Sequence, residues 1–152
     1  MTRGNARELA VHLIYGREFT LEEPGEVIAI RLDKDYYGKL SGENQVYIER
    51  PSSAQMGYLD TVVAGVASRT EELNEQIQKY SIGWDVSRIS RLARAVLQLA
   101  MFEILYMDDV PTGVAISEAV RIVKLYDGDD TGAFVNGILG AFARGLVAEV
   151  EQ

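Results

Sequence analysis

The sequence predicts an all-α protein from three features. Apolar residues recur at helical spacing along nearly the whole chain, no stretch alternates apolar and polar residues as a half-buried strand does, and Gly, Pro and Asp fall between the periodic segments. A first helix is expected from about Asn5 to Phe19, with Ala6, Leu9, Ala10 and Leu13 facing inward and Asn5 as its cap; it stops near Pro24 and Gly25. A second, from about Glu26 to Leu40, stacks Ile28, Leu32, Tyr36 and Leu40 on one side, and the Ser41-Gly42-Glu43-Asn44 run ends it. Residues 43 to 51 show no clear pattern.

A long helix is expected from about Ser52 to Tyr80, where Leu59, Val62, Val63, Val66, Leu73 and Ile77 keep a helical period; Gly65 marks close packing or a bend, and Gly83 closes it. Asp85 or Ser87 caps the next helix, which runs to about Met107 and is apolar nearly all round after Ala95, the pattern of a helix at the centre of a bundle. The Asp108-Asp109-Val110-Pro111 turn leads into a helix carrying Val114, Ile116, Ala119, Val120 and Val123. The last helix begins near Asp129 or Asp130, whose carboxylates suit a helix N-terminus, and carries Phe134, Val135, Ile138, Leu139 and Phe142. On it, Gly137, Gly140 and Ala141 share a face that permits tight helix approach, and Asn136 is expected to bridge to a neighbouring helix.

At 152 residues the chain reads as one domain, residues 1–152, and folding at that length buries roughly 70% of the unfolded surface. Its 47% hydrophobic and 25% charged residues fit a globular protein. The absence of cysteine removes disulfides, thiolate metal sites and cysteine nucleophiles, and permits a reducing compartment. The start does not read as a signal peptide, and no stretch approaches the roughly 20 apolar residues that cross a bilayer, so we expect a cytoplasmic protein with no membrane association.

The formal net charge of -8 argues against a large nucleic-acid footprint, because Lys and Arg contacts to phosphate dominate such affinity. Charge distribution narrows the question. Residues 1 to 20 set Arg3, Arg7 and Arg17 against Glu8 and Glu18, and residues 85 to 107 set Arg88, Arg91 and Arg94 against Asp85 and Glu103. These two segments are the candidates for contacting a polyanion. Arg3 and Arg7 are four apart, so they share a helix face if the helix extends far enough, and can grip neighbouring phosphates rather than merely solvate the helix.

Catalytic and metal patterns are missing. His12 is the single histidine and cannot form a pair; zinc spacings, a phosphate-binding glycine fingerprint and a nucleophile elbow are absent. The stretch DGDDTGAFVNGI, Asp127 to Ile138, resembles a calcium loop at its first, third, fifth and sixth positions, but its twelfth is Ile138 where a bidentate Glu is required. Glu103, inside an apolar run, needs an arginine or backbone donors as partners. No enzyme, cofactor or metal is expected.

Five segments, in order along nearly the whole chain, resemble the NusB family of transcription antitermination proteins. RGNARELAVHLIY resembles the family's RRxARExAxQxLY start, and DTVVAGVASRTEELNEQI its LVxGVxxNxxxLDxxI segment. Trp84 followed by LARAVLQLAMFEI is similar to DRAILRLAxYEL, DVPTGVAISEAVRIVKLY to DVPxxVAINEAVELAKxF, and DDTGAFVNGIL to xDSxKFVNGVL.

The resemblance implies two small perpendicular helix bundles in one compact domain and no catalysis. It also implies pairing with the small-subunit ribosomal protein called NusE, joint binding of boxA-type single-stranded RNA, and action within the transcription elongation complex, notably on ribosomal RNA operons. A divergent helical interaction module without RNA binding is the alternative, and a homodimer is left open. A related domain begins some ribosomal RNA cytosine methyltransferases, but with the chain ending at Gln152 no methyltransferase body is expected.

The family's first-helix arginine cluster meets RNA, and here it is matched by Arg3 and Arg7, with Gly4 and Asn5 where relatives commonly add basic residues. His12 takes the place of the family's glutamine, Tyr15 and Phe134 match aromatics able to stack bases, and Asp130 matches an acidic position near the partner and RNA surface. Arg88, Arg91 and Arg94 form a basic stripe where relatives often carry acids facing NusE, which assigns them to partner binding or to supplementing the RNA contact. Gln98 stands for the family's usual Arg and Ser117 for its Asn.

Overall fold

The computed structural model describes residues 1–20, 23–31, 49–81 and 89–151, and the chain divides into two compact units, Met1–Ser68 and Arg69–Gln152. Every regular element among the described residues is an α-helix. Leu32, Tyr36 and Leu40 of the expected second helix, the 41–44 run, Gly83, Trp84, Asp85, Ser87 and Arg88 lie outside the described residues.

In the first unit, α1 (Arg3–Thr20), α2 (Pro24–Arg31) and α3 (Ser53–Ser68) pack on one another. Thr2, not Asn5, caps α1: its hydroxyl accepts from the Asn5 N–H at 3.0 Å and its carbonyl from the Ala6 N–H at 3.0 Å. The earlier start brings both Arg3 and Arg7 into the helix. The expected inward residues Ala6, Leu9, Ala10 and Leu13 are buried, and so are Val11 and Ile14. Pro24 opens α2 at the first helical position, where its missing N–H costs nothing.

At the start of α3, Ser52 and Gln55 form a reciprocal cap: the Ser52 hydroxyl accepts from the Gln55 N–H at 3.2 Å and the Gln55 side chain accepts from the Ser52 N–H at 2.9 Å. The Gln55 amide also donates to the Met1 carbonyl at 2.6 Å, tying α3 to the chain's first residue. Leu59, Val62, Val63, Gly65 and Val66 form the buried face of α3.

The single helix expected over Ser52 to Tyr80 is two, because α3 ends at Ser68 and α4 (Thr70–Tyr80) follows a break at Arg69, φ -121° and ψ 21°. Apolar spacing did not register the break because Val66, Leu73 and Ile77 stay in helical phase across it. The Arg69 guanidinium lies over the Tyr106 ring, 4.3 Å from its centroid, and 5.9 Å from that of Phe102, a cation–π contact that anchors the break residue in the second unit.

The second unit is built on α5 (Arg91–Tyr106), which packs against α4, α6 (Thr112–Asp127) and α7 (Asp129–Glu151). Every residue of α5 from Ala95 to Glu103 is buried, as its all-round apolar pattern predicted. Its cap is Ser90, whose hydroxyl accepts from the Ala93 N–H at 3.0 Å and donates to the Asp127 carboxylate at 2.6 Å. In α6 the buried residues are Ala115, Ala119, Ile122 and Val123; Val114 is 42% exposed, against expectation. Gly128, with φ +88°, reverses the chain between α6 and α7 in a conformation that L side chains rarely adopt.

Val135, Ile138, Leu139 and Phe142 bury one side of α7. Asn136, expected to bridge to a neighbour, is exposed, and a Cβ at Gly137 would meet nothing within 4 Å. The tight approach comes instead at Gly145, where a Cβ would collide with the Tyr80 ring of α4; that ring stands edge-on to Phe142 at 5.8 Å. By length and composition alone, α7 is apolar enough over Asp129–Glu149 to cross a membrane, which corrects the expectation that no stretch approaches such a span. Its two-sidedness, with Asp129, Asp130, Asn136 and Arg144 opposite the buried stripe, is that of a helix laid along a protein core.

Gly145→Ala is expected to displace Tyr80 and lower stability by about 1–3 kcal/mol, while Gly137→Ala leaves the urea midpoint unchanged or raises it. Equal effects of the two would refute the close approach.

Candidate nucleic-acid interface

In the first unit the candidate residues sit on α1 but do not form one strip. Arg3 is exposed, whereas Arg7 is only 5% exposed and Glu8 only 8%. His12 and Tyr15 are half-buried. Arg3 and Arg7, four apart, share one side, and His12 and Tyr15, three apart, share another; the five residues from Arg7 to His12 turn the helix by about 140°. Arg3, Arg7, His12 and Tyr15 are each already engaged within the folded chain. The expectation of two surface arginines therefore holds for Arg3 and is corrected for Arg7. The helix is enclosed from Ala6 to Val11, so a side chain on its second turn cannot reach solvent fully.

The accessible side of α1 carries the half-buried Asn5, His12, Tyr15 and Gly16, with Gly4 at its edge. Gly4 and Asn5, the two positions where the sequence comparison expects added basic residues, therefore fall on this side. What it presents is a neutral, hydrogen-bonding and aromatic surface, suited to bases more than to phosphates.

In the second unit, Asp130 lies in the exposed first turn of α7 and Phe134 follows four residues on, half-buried, on the same face. Arg91 is exposed and Arg94 half-buried, three apart at the start of α5. A helix N-terminus disfavours cations, and no acid occupies the first turn of α5. The arginines therefore do not stabilise their own helix, and Asp127, held by Ser90, supplies the compensating negative charge at that end.

The stretch that resembled a calcium loop is the α6–α7 junction: Asp127 accepts from Ser90, and the residues from Asp129 onward are helical. Among the described residues no group of three or more His, Cys, Asp or Glu side chains could hold a metal ion. Glu103 is buried and engaged, and Gln98, standing for the family's Arg, donates from its amide to Asn74 of α4 at 2.9 Å. Sequence reading missed both the Ser90–Asp127 bond and the bond from the Tyr106 hydroxyl to Glu72 at 2.7 Å. Each joins residues more than thirty positions apart, where no local pattern signals it.

These faces define a helical-bundle protein whose candidate contacts lie on helix surfaces at two sites, one in each unit. The model of the NusB family matches residues 4–144. The transcription antitermination protein NusB of Acetivibrio thermocellus is 40% identical over 140 residues, covering 92% of this chain and 87% of that protein. The protein of the same name from Ruminiclostridium cellulolyticum is 34% identical over 145 residues, covering 95% and 90%. Among solved structures, NusB of T. maritima superposes with a TM-score of 0.75 at 27% identity, covering 95% of this chain and 92% of that one. NusB solved with NusE and double-stranded RNA shares the fold, with a TM-score of 0.72 at 23% identity over 94% of this chain and 96% of that one. The chain belongs to the NusB family.

Ser90→Ala is expected to lower stability by about 1 kcal/mol through loss of the α5 cap, read as a shift in the thermal midpoint. Ser90→Asp retains a capping oxygen but sets it against Asp127, and is expected to restore less than Ser90→Thr. A neutral Ser90→Ala would show that the cap contributes nothing.

Proposed function

We propose that this protein is a transcription antitermination factor. It acts as a non-catalytic cytoplasmic adaptor that binds boxA-type single-stranded RNA together with a NusE-like ribosomal protein and joins the elongation complex on ribosomal RNA operons. The observation that carries this reading is the match to named antitermination relatives across more than nine-tenths of the chain; NusB has been solved with NusE and RNA in a related structure.

On this reading Arg3 meets phosphate, His12 and Tyr15 meet bases, and Arg7, being buried, holds α1 in place rather than touching RNA. Asp130 and Phe134 form a second contact face on α7. Arg91, with Arg94 and Arg88, faces the partner protein. The reduced basic charge of α1 makes RNA binding by the isolated chain weak and leaves the partner to supply the remaining phosphate contacts.

Fluorescence anisotropy of labelled boxA RNA tests this. Binding is expected to tighten by about tenfold or more, about 1.4 kcal/mol, when the NusE partner is added. No binding of either RNA or partner at low salt would overturn the proposal, and partner binding without RNA binding would leave a protein-interaction module.

Arg3→Ala should reduce the salt slope of binding by about one phosphate contact with stability unchanged. Arg7→Ala should instead cost about 1.5–3 kcal/mol of stability. Tyr15→Ala should weaken RNA binding by about 1–3 kcal/mol without changing the salt slope. A slope that falls for Tyr15→Ala and not for Arg3→Ala would reverse these assignments.

A further inference from the structure

We propose that Lys124 and Arg144 grip the phosphate backbone of single-stranded RNA along one ridge of α7. Gly132, Asn136, Gly140 and Arg144 follow one another at intervals of four, which sets them in one row on the helix. A Cβ at Gly132 would lie 2.7 Å from Lys124 Cγ and 2.9 Å from its Cε, so the Lys124 stem runs from α6 flat across the first turn of α7. Its ammonium, one bond of about 1.5 Å beyond Cε, is therefore carried onto the ridge. At Gly140 a Cβ would stand 3.3 Å from Arg144 Nη1, so the guanidinium folds back one turn over that glycine. The two cations are thus set about 12 Å apart along the helix axis, with the exposed Asn136 amide between them.

Charge gives the ridge its ligand. The chain is acidic overall, with 23 Asp and Glu among 152 residues, yet α7 carries no acid from Thr131 to Ala148. Among the described residues neither Lys124 nor Arg144 takes part in an ion pair, although Asp129 and Asp130 open the helix and Glu149 near its end pairs with Lys79 at 3.9 Å. Both side chains are exposed. Two cations without partners on an acid-free ridge suit an anion of repeated charge, and an ammonium and a guanidinium fork both bind phosphate. Ala133 and Gly137, exposed and small, leave a clear path over the helix from Phe134 to the ridge, so a strand whose base stacks on Phe134 can lay its backbone there. The proposal rests on the RNA-binding reading and adds two phosphate contacts within the second unit. The family motif does not mark them, since it carries its lysine at the position of Ala133. Gly132 acts as a positioning residue, because a side chain there lifts the Lys124 stem away.

Anisotropy of labelled boxA RNA on the complex with the NusE partner, measured against salt, tests this. Lys124→Gln and Arg144→Gln are each expected to reduce the slope of log K against log salt by about 0.7, and the double variant by about 1.4. Arg121→Gln, on α6 and paired with Glu118, should leave the slope unchanged. Gly132→Ala should weaken binding about threefold or more in the original chain and not at all in the Lys124→Gln background, the non-additivity of two residues that act as one. Urea denaturation confirms that each variant is folded. A slope unchanged in both single variants, while the original complex binds RNA, overturns this proposal alone; an original complex that binds no RNA overturns the reading beneath it as well. Lower affinity of either variant for the partner in the absence of RNA assigns the ridge to the protein interface and overturns the proposal too.

Discussion

The second unit depends on the complete burial of α5. From Ala95 to Glu103 every side chain is enclosed, so each neighbour must present a surface fitted to a helix with no solvent side. That burial removes water from apolar area at roughly 25 cal/mol per Å² and makes the polar members of the helix costly unless they are engaged. Gln98 meets this requirement by donating to Asn74 of α4, and Glu103 is likewise engaged. At its ends α5 is held by polar contacts of opposite kind. Ser90 and Asp127 close the N-terminal end onto α6, while Tyr106, bonded to Glu72 and stacked under Arg69, closes the other onto α4. Arg91 and Arg94 thus sit at the start of a helix anchored at both ends.

The elements readable in the sequence were those whose evidence lay within one helix. The centre of α5, the inward face of α1 and the acidic start of α7 each rest on local periodicity or local charge, and each is found in the structure. What escaped was set by residues distant in the chain. The break at Arg69 preserves the apolar phase, so no period registers it, and its anchor is thirty-seven residues away at Tyr106. The close approach expected at Gly137 and Gly140 occurs at Gly145, because the deciding factor is the position of the Tyr80 ring. Helix ends were displaced for a related reason. Asn5 and Thr2 are both good caps, and only the hydrogen bond from Asn5 to Thr2 decides between them.

The candidate site was legible in residue type more than in geometry. Family motifs picked out Arg3, Arg7, His12 and Tyr15 as neighbours in sequence, but helical rotation separates them into two pairs, and burial gives Arg7 a different environment from Arg3. The same reasoning explains the misjudged face of α6. Val114 is aliphatic, yet the buried stripe runs through Ala115, Ala119 and Ile122, about one residue's rotation away. A small shift in phase is enough to carry an apolar side chain from core to surface.

An acidic chain can still serve RNA on these terms. At physiological ionic strength the field of a surface charge is screened within about 8 Å, so charges elsewhere on a chain of net charge -8 act weakly at a contact made along one helix. On the proposed reading what acts there is the local set, Arg3 at the start of α1 with His12 and Tyr15 on the accessible side. The distributed acidity weakens binding to phosphate backbones elsewhere on the surface, because nonspecific affinity is almost wholly electrostatic. A binder of this kind gives up affinity for any polyanion and keeps the contacts that read bases. On the proposed reading the missing phosphate contacts come from a second molecule, which would make stable RNA binding depend on assembly with the partner.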